Sequence, residues 1–227
     1  MKTKKLKNKL IFFVLVCLVF MSGCGEEEPN KSGKKHPTKF DLLGVVKNSI
    51  YKNNYFGLSI KIPSHWHLQN KKMREEMVDI GRETVAGDNK ILEREIAMSQ
   101  LKTENLLTVF KYPLKTPVSF NPSFICMIEV ITPFMSIKNG KDYQHQMQKF
   151  IKTAKMKVSI PKEIYTEKIA NREFSVLVLK RNIAGIKITQ KYYSTIMKGF
   201  ALNFIITFSS DKSETELMNI LKSIKFN

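Results

Sequence analysis

Cysteine and acidic residues are scarce in this sequence of 227 residues. It has three cysteines, and its 20 acidic residues against 38 basic ones give a formal net charge of +18. The hydrophobic share of 43% and the aromatic share of 10% are too high for intrinsic disorder. The composition also excludes collagen-like, coiled-coil and multispan membrane proteins, so we expect a globular chain.

Motifs of several large enzyme classes are absent as well. The chain has no Gly-x-Ser-x-Gly elbow, His-Glu-x-x-His pair, Walker-type glycine loop or dinucleotide-binding fingerprint. Two close carboxylate pairs, Glu75 with Glu76 and Glu93 with Glu95, lie among Lys and Arg in helical segments. They are better explained as ion-pair partners than as an acid and a base. We therefore expect a protein that is not an enzyme and that carries no cofactor.

Residues 1–23 have the three-part order of a secretory signal peptide. A basic stretch, Met1–Lys9, precedes an uncharged apolar run, Leu10–Met21, and the small residues Ser22 and Gly23. As a helix, this apolar run would be about 18 Å long, well short of the roughly 30 Å of a bilayer's hydrocarbon core. The segment is therefore predicted to be cleaved from an exported protein.

The residues around Cys24 resemble the lipobox of bacterial lipoproteins. Met21-Ser22-Gly23-Cys24 places an apolar residue and two small ones ahead of a cysteine, directly behind the basic and apolar segments. The resemblance implies cleavage after Gly23 and a thioether-linked diacylglycerol on Cys24. Because two acyl chains suffice for stable anchoring, it also implies a mature protein held on a membrane surface. An aspartate directly after the lipidated cysteine would resemble a signal for retention in the inner membrane, but this position is Gly25. We therefore expect the outer membrane where the organism has two membranes.

Residues 24–44 are predicted to be a flexible linker, and residues 45–227 a single folded domain. From Gly25 to Lys39 the sequence has no aliphatic or aromatic residue and is rich in Gly, Pro, Ser and charge, so it cannot bury itself. A flexible chain of that length has an r.m.s. reach of roughly 20 Å. The remaining residues are enough for one domain.

The cysteines cannot form an intrachain disulfide in the predicted mature protein. Cys17 would leave with the signal peptide, and Cys24 would take the lipid. Cys126 is then left alone in an apolar run and is predicted to be a small core residue.

The excess of lysine is compatible with two kinds of partner. An anionic lipid surface attracts a cationic protein by about 1 kcal/mol per well-placed charge, and an acidic protein would attract it in the same way. Nucleic acid is not expected as the partner of an exported protein. A lysine-rich genome is a third explanation, favoured by the spread of Lys along the whole chain.

Periodic patterns predict an α+β domain. Strands are predicted at residues 51–63, 106–112, 124–131, 174–180, 186–196 and 200–208, the last three as an antiparallel meander with reversals at Gly185 and Gly199. Residues 70–100 are helical in composition, with breaks at Gly81 and Gly87. Further helices are predicted from the apolar stripe Met147, Phe150, Ile151 and Ala154, and from a capping box at residues 213–216 before Leu217, Ile220, Leu221 and Ile224.

The start and the end of this domain resemble PsbP-like domains. The opening has the form Tyr-x-Asn-x-x-x-Gly-Leu-Ser-Ile-x-Ile-Pro-x-x-Trp, formed here by Tyr51, Asn53, Gly57, Leu58, Ser59, Ile60, Ile62, Pro63 and Trp66. The end is a strand followed by a helix that finishes in Leu-Lys-Ser-Ile-Lys-Phe at residues 221–226. The resemblance implies a central, mostly antiparallel sheet with helices on both sides. It also implies a non-catalytic accessory or protein-binding role, with no catalytic residues to carry over.

The segment His65-Trp66-His67 is the best candidate for metal binding. Residues two apart on an extended chain project to the same side, so the two imidazoles could chelate a divalent cation. Two ligands do not make a site, and the pattern fixes no distance to a third one such as His145 or Glu75. We therefore expect no metal site, with Trp66 packed as an anchor.

Together these features predict a lipid-anchored protein of the cell envelope that binds another envelope protein or assists its assembly. The alternative is a lipoprotein that binds a metal or a small ligand, with His65 and His67 as candidate ligands, and delivers it to a transporter.

Overall fold

The computed structural model describes residues 42–154 and 156–227, apart from the side chains of Ile80, Thr84 and Glu95. The predicted signal peptide, Cys24 and most of the predicted linker lie outside these residues. The described residues form four α-helices: α1 (Lys71–Ala86), α2 (Lys90–Gln100), α3 (Gly140–Thr153) and α4 (Asp211–Lys222). They also form eleven strands: β1 (Val45–Lys47), β2 (Ile50–Asn53), β3 (Leu58–Lys61), β4 (His67–Leu68), β5 (Thr103–Phe110), β6 (Ser123–Val130), β7 (Tyr165–Ile169), β8 (Arg172–Ile183), β9 (Ile186–Met197), β10 (Phe200–Phe208) and β11 (Lys225–Phe226).

A seven-stranded antiparallel sheet forms the centre of the domain. Its strand order is β4-β5-β6-β10-β9-β8-β7, and every neighbouring pair is antiparallel. Strands β8, β9 and β10 follow one another as a meander with tight reversals at Gly185 and Gly199, whose φ angles are 85° and 81°. Glycine adopts such angles without steric cost, which is why the chain reverses there. The predicted α+β class and the predicted meander are therefore confirmed.

Strand β10 is buried on both faces. One hydrophobic core contains its predicted inward side chains, Phe200, Leu202, Phe204, Ile206 and Phe208. The residues between them face the other side of the sheet, where Ala201 and Ile205 belong to a second core. The adjacent strand β6 is also buried from Ser123 to Glu129, as the apolar run predicted.

The first core lies between the central sheet, helix α4 and a smaller antiparallel sheet. The smaller sheet has the order β1-β2-β3-β11. Buried side chains of the PsbP-like opening include Tyr51, Leu58, Ile60 and Trp66, and α4 contributes its predicted stripe, Leu217, Ile220 and Leu221. Leu42 and Leu43, at the end of the predicted linker, also pack against this core.

The second core lies between α3 and the opposite face of the central sheet, and also includes residues of α1 and α2. The predicted stripe of α3 faces the sheet, with Met147, Phe150 and Ile151 at most 8% exposed. Side chains at the helix starts accept hydrogen bonds from otherwise unpaired backbone N–H groups, which stabilises these ends. The capping residues of α1, α2 and α3 are Asn70, Asn89 and Asn139.

Three local predictions are wrong, and the four strands β1, β4, β7 and β11 were missed. The predicted strand at residues 51–63 is two antiparallel strands, β2 and β3, because the chain reverses in a turn at residues 54–57. Helix α1 continues through Gly81 and ends at Gly87, because a single glycine costs only about 1 kcal/mol in a helix that packing holds in place. Helix α4 begins at Asp211, because Ser210 rather than the predicted box is its cap. Strand β7 is an edge strand with mostly exposed or half-buried side chains, so it lacks an apolar run.

None of the helices within the described residues is long and apolar enough to cross a membrane.

Candidate functional site

A groove lined by cationic side chains lies at the end of the central sheet where β8 turns into β9. It is open to solvent and has a volume of about 530 Å³. Its lining includes four cationic residues and one acidic residue, Lys157, Lys180, Arg181, Lys187 and Asp211. We call it the cationic groove, since these groups give it an excess of positive charge.

Backbone pairing brings these cations together from distant parts of the chain. Lys180 lies near the end of β8 and Lys187 near the start of β9, on either side of the reversal at Gly185. On the outer side of β8, Ser159 exchanges two backbone hydrogen bonds of 2.8 Å with Lys180. This isolated bridge places Lys157 beside the same strand.

The lysines of the cationic groove are available to a partner. Lys157, Lys180 and Lys187 are exposed, and none of them forms an ion pair with a carboxylate of the described residues. By contrast, Lys191 on β9 is paired with Glu214 of α4 at 2.6 Å. The charge of the groove is therefore not neutralised by neighbours in the way that the charge of Lys191 is.

Arg181 is the most restrained cation of the groove. Its Nη2 donates a hydrogen bond to Oε1 of Gln190 at 2.6 Å, which holds the side chain along the sheet. Burial lowers the pKa of the Arg181 guanidinium from its ordinary value. Arginine nevertheless stays protonated in proteins, so this charge persists at neutral pH.

The groove is suited to attracting anions by charge rather than to holding one small molecule in a fixed pose. Lysine ammonium groups act as point charges on flexible stems, so they accept carboxylates in many geometries. Attraction between exposed charges weakens as salt is added. An extended acidic segment of a polypeptide fits this chemistry.

A buried polar cluster lies beneath α3, on the face of the central sheet that contributes to the second core. The hydroxyl of Tyr143 donates to Oε2 of Glu129 at 2.8 Å, and Nδ2 of Asn203 donates to that hydroxyl at 3.4 Å. Ser194 donates to Oδ1 of Asn203, and Nε2 of Gln144 donates to Oγ of Ser194 at 2.6 Å. All five side chains are 0% exposed. The cluster thus fixes α3 against β6, β9 and β10.

Glycine is needed where α3 meets the sheet. A Cβ atom on Gly140, the first residue of α3, would lie 2.1 Å from the carbonyl oxygen of Ser194. The bare backbone lets the helix approach β9 closely enough for Gln144 to reach Ser194 and the carbonyl oxygen of Tyr192, the latter at 2.9 Å.

Glu129 is the titratable group of this cluster. Burial raises the pKa of Glu129 to about 8, although the hydrogen bond from Tyr143 and the charge of Lys102 both lower it. Its Oε1 atom has no hydrogen-bond partner among the described residues. One local feature of the sequence points to this cluster, namely a single glutamate within the apolar run 124–131.

The candidate metal ligands lie at the surface. His65 and His67 are exposed on either side of Trp66, which is buried. Within residues 42–154 and 156–227, no group of three or more His, Cys, Asp or Glu side chains is arranged to hold a metal ion. The described part of the chain therefore brings no third ligand to the two histidines.

The other described candidates, Cys126, Glu75 and Glu93, contribute to a hydrophobic core or to helical ion pairs. Cys126 is fully buried in the first core, and burial raises the pKa of its thiol. Glu75 forms a helical ion pair with Lys71 at 3.8 Å, and Glu93 forms one with Lys90 at 2.8 Å. Cys24 lies outside the described residues.

The pKa of Glu129 predicts a pH dependence of stability. The unfolded chain releases this proton near pH 4.3, whereas the folded protein holds it up to about pH 8. The folded state therefore binds more protons in this window, and the free energy of unfolding falls as pH rises, by at most about 1.4 kcal/mol per pH unit from this group. Glu129→Gln should remove this component in urea titrations between about pH 5 and pH 8.

Glu173→Gln is the matched control for that experiment, because Glu173 is an exposed glutamate on β8. The control should keep the slope of the wild-type protein. Identical pH slopes for wild type, Glu129→Gln and Glu173→Gln would contradict the assignment.

No protein-family model matches the sequence, and no curated protein is similar to it. Solved structures similar to this chain include the cyanobacterial PsbP protein of Synechocystis, with 10% identity, a TM-score of 0.48 and coverage of 81% of this chain and 95% of that one. LpqN of Mycobacterium tuberculosis, described as involved in cell envelope biogenesis, has 11% identity, a TM-score of 0.40 and coverage of 74% and 82%. A Bacteroides thetaiotaomicron protein has 12% identity and a TM-score of 0.39; the match covers 75% of this chain but only 45% of that one, less than half of its length.

Proposed function

We propose that this protein is a non-catalytic lipoprotein, held on a membrane surface by a diacylglycerol on Cys24, that binds an acidic segment of another envelope protein. The proposed lipid anchor is supported by the position of Cys24, which directly follows a basic stretch, an apolar run and two small residues. The observation that favours binding is the group of unpaired lysines beside Arg181 in the cationic groove.

The position of the groove supports this division of roles. The described chain begins at Leu42, whose carbonyl oxygen accepts a hydrogen bond of 2.7 Å from Nδ2 of Asn53. Tyr55, two residues after Asn53, accepts a hydrogen bond of 2.5 Å at its carbonyl oxygen from Lys198 in the β9–β10 turn. Leu42 therefore lies at the same end of the domain as the β9–β10 turn. The groove lies at the other end of β9, whose 12 residues span about 40 Å. A partner could therefore reach the groove while the opposite end is tethered.

The anchor predicts a specific pattern of lipid labelling. In cells supplied with an alkyne fatty acid, the wild-type protein should incorporate the label, and Cys24→Ala should not, because the acyl chains are carried through Cys24. Cys17→Ala is the matched control, since Cys17 is the neighbouring cysteine in the apolar run, and it should be labelled like wild type. Labelling that persists in Cys24→Ala would refute the anchor.

The groove predicts charge-dependent binding of an acidic chain. A fluorescent oligoglutamate peptide should bind the mature protein, with an affinity that falls as salt is added. The double variant Lys180→Glu with Lys187→Glu should bind it about tenfold more weakly, because two attractions become two repulsions of the size of surface ion pairs. Fluorescence anisotropy measures both effects.

The control variant changes the net charge equally at another surface. Lys47 and Lys52 are exposed on the small sheet, and Lys47→Glu with Lys52→Glu should leave the affinity close to that of wild type. An equal loss in both double variants would show that only the overall charge matters and that the groove is not the binding site.

A further inference from the structure

Apolar side chains are exposed at the end of the domain opposite the cationic groove. Met98, Leu101, Val130 and Phe134 are 62%, 79%, 39% and 84% exposed. Isolated apolar residues on a surface are ordinary, but a group rimmed by polar residues marks an interaction surface. We call these four residues the apolar rim.

The backbone at the rim is held in place. Leu101 follows the last residue of α2, and the backbone N–H of Val130 donates to the carbonyl oxygen of Lys102 at 2.9 Å, which joins the two segments. Phe134 lies in a short 3-10 helix, Pro133–Met135, whose last residue, Met135, is 1% exposed. The carbonyl oxygen of Met135 accepts a hydrogen bond of 2.6 Å from Nε2 of Gln146. Phe134 is thus presented to solvent by a turn that is anchored in the core.

The described chain begins at the same end of the domain. The side chain of Asn53 forms two hydrogen bonds here. Its Nδ2 donates to the carbonyl oxygen of Leu42, and its Oδ1 accepts a hydrogen bond of 3.0 Å from the backbone N–H of Phe56. The ring of Phe56 packs edge to face on Phe200, at 5.7 Å between centroids, next to the β9–β10 turn. Gly199 in that turn accepts a hydrogen bond of 2.9 Å from Ile131, the residue after Val130. A short series of contacts therefore leads from Leu42 to the rim.

Lysines flank the rim. Lys102 follows Leu101, Lys138 follows the 3-10 helix, and Lys198 occupies the β9–β10 turn; all three are exposed. A surface with apolar side chains at its centre and lysines around them complements an anionic bilayer, in which apolar groups enter the interface and ammonium groups meet lipid phosphates.

We propose that the apolar rim and its lysines dock onto the anionic surface of the membrane that holds Cys24. This inference rests on the proposed lipid anchor. Leu42 lies eighteen positions after Cys24, within the linker predicted from the sequence, and a linker of that length and composition is expected to reach about 23 Å. The rim is therefore kept close to lipid at a high effective concentration, so a contact that is weak by itself is populated. Docking orients the cationic groove away from the bilayer.

Spin labels on the full lipidated chain test the orientation. The protein is reconstituted into vesicles of phosphatidylcholine with phosphatidylglycerol, and a nitroxide is attached at Phe134→Cys or, as the control, at Ile186→Cys beside the groove. Background labelling is low, because Cys126 is 0% exposed and Cys24 would be blocked by its thioether. The accessibility of each label to oxygen and to a water-soluble nickel chelate gives its depth in the bilayer.

The label at position 134 should be more accessible to oxygen and several-fold less accessible to nickel than the label at position 186. This difference should shrink in vesicles of phosphatidylcholine alone and in the background of Leu101→Asp. Vesicle-bound protein with both labels in water, or with both in the bilayer, would refute docking while leaving the anchor intact. Protein that does not stay with the vesicles would refute the anchor, and the docking with it.

Discussion

The burial of β10 on both faces is the constraint on which the rest of this structure depends. A strand with buried side chains on each side is stable only if two separate layers cover it. Helix α4 and the small sheet cover the face of Phe204, and α3 covers the face of Ile205. The second layer is not purely apolar, because Asn203 points into it. The side chain of Asn203 forms hydrogen bonds with Ser194 and Tyr143. The hydroxyl of Tyr143 in turn donates to the carboxyl of Glu129, which is therefore also part of this buried layer.

The parts of the fold that were predictable are those in which burial imposes a period on the sequence. The alternation along β10 and the stripe of α3 each repeat over several residues, so they identified both the element and its inward face. The short strands β1, β4 and β11 have no such repeat. Strand β11 exists because Phe226 pairs with Leu58, far earlier in the chain. Such strands depend on tertiary contacts that no local window contains.

The candidate site was less predictable for the same reason. Lys157, Lys180 and Lys187 look like three ordinary surface lysines among many, and only the bridge at Ser159 and the β8–β9 reversal bring them to one groove. The polar cluster had a local signal, an acidic residue in an apolar strand, but the other members of the cluster come from three further elements, α3, β9 and β10. By contrast, a lipid-attachment signal consists of adjacent residues, so the interpretation of Cys24 needs only the sequence.

The two ends of the domain carry different surfaces, for which we propose different tasks. The end near Leu42 has apolar side chains with lysines around them, and the far end has a groove with lysines and an arginine. Attachment through a lipid on Cys24, as proposed above, would bring the first of these ends to the membrane. The central claim is therefore that the mature chain begins with an acylated cysteine. The most direct test is the mass of the N-terminal peptide of the protein isolated from its native membrane. A peptide that starts at Cys24 and carries a diacylglycerol is the predicted result, and a chain that starts at Met1 with a free thiol on Cys24 would contradict it.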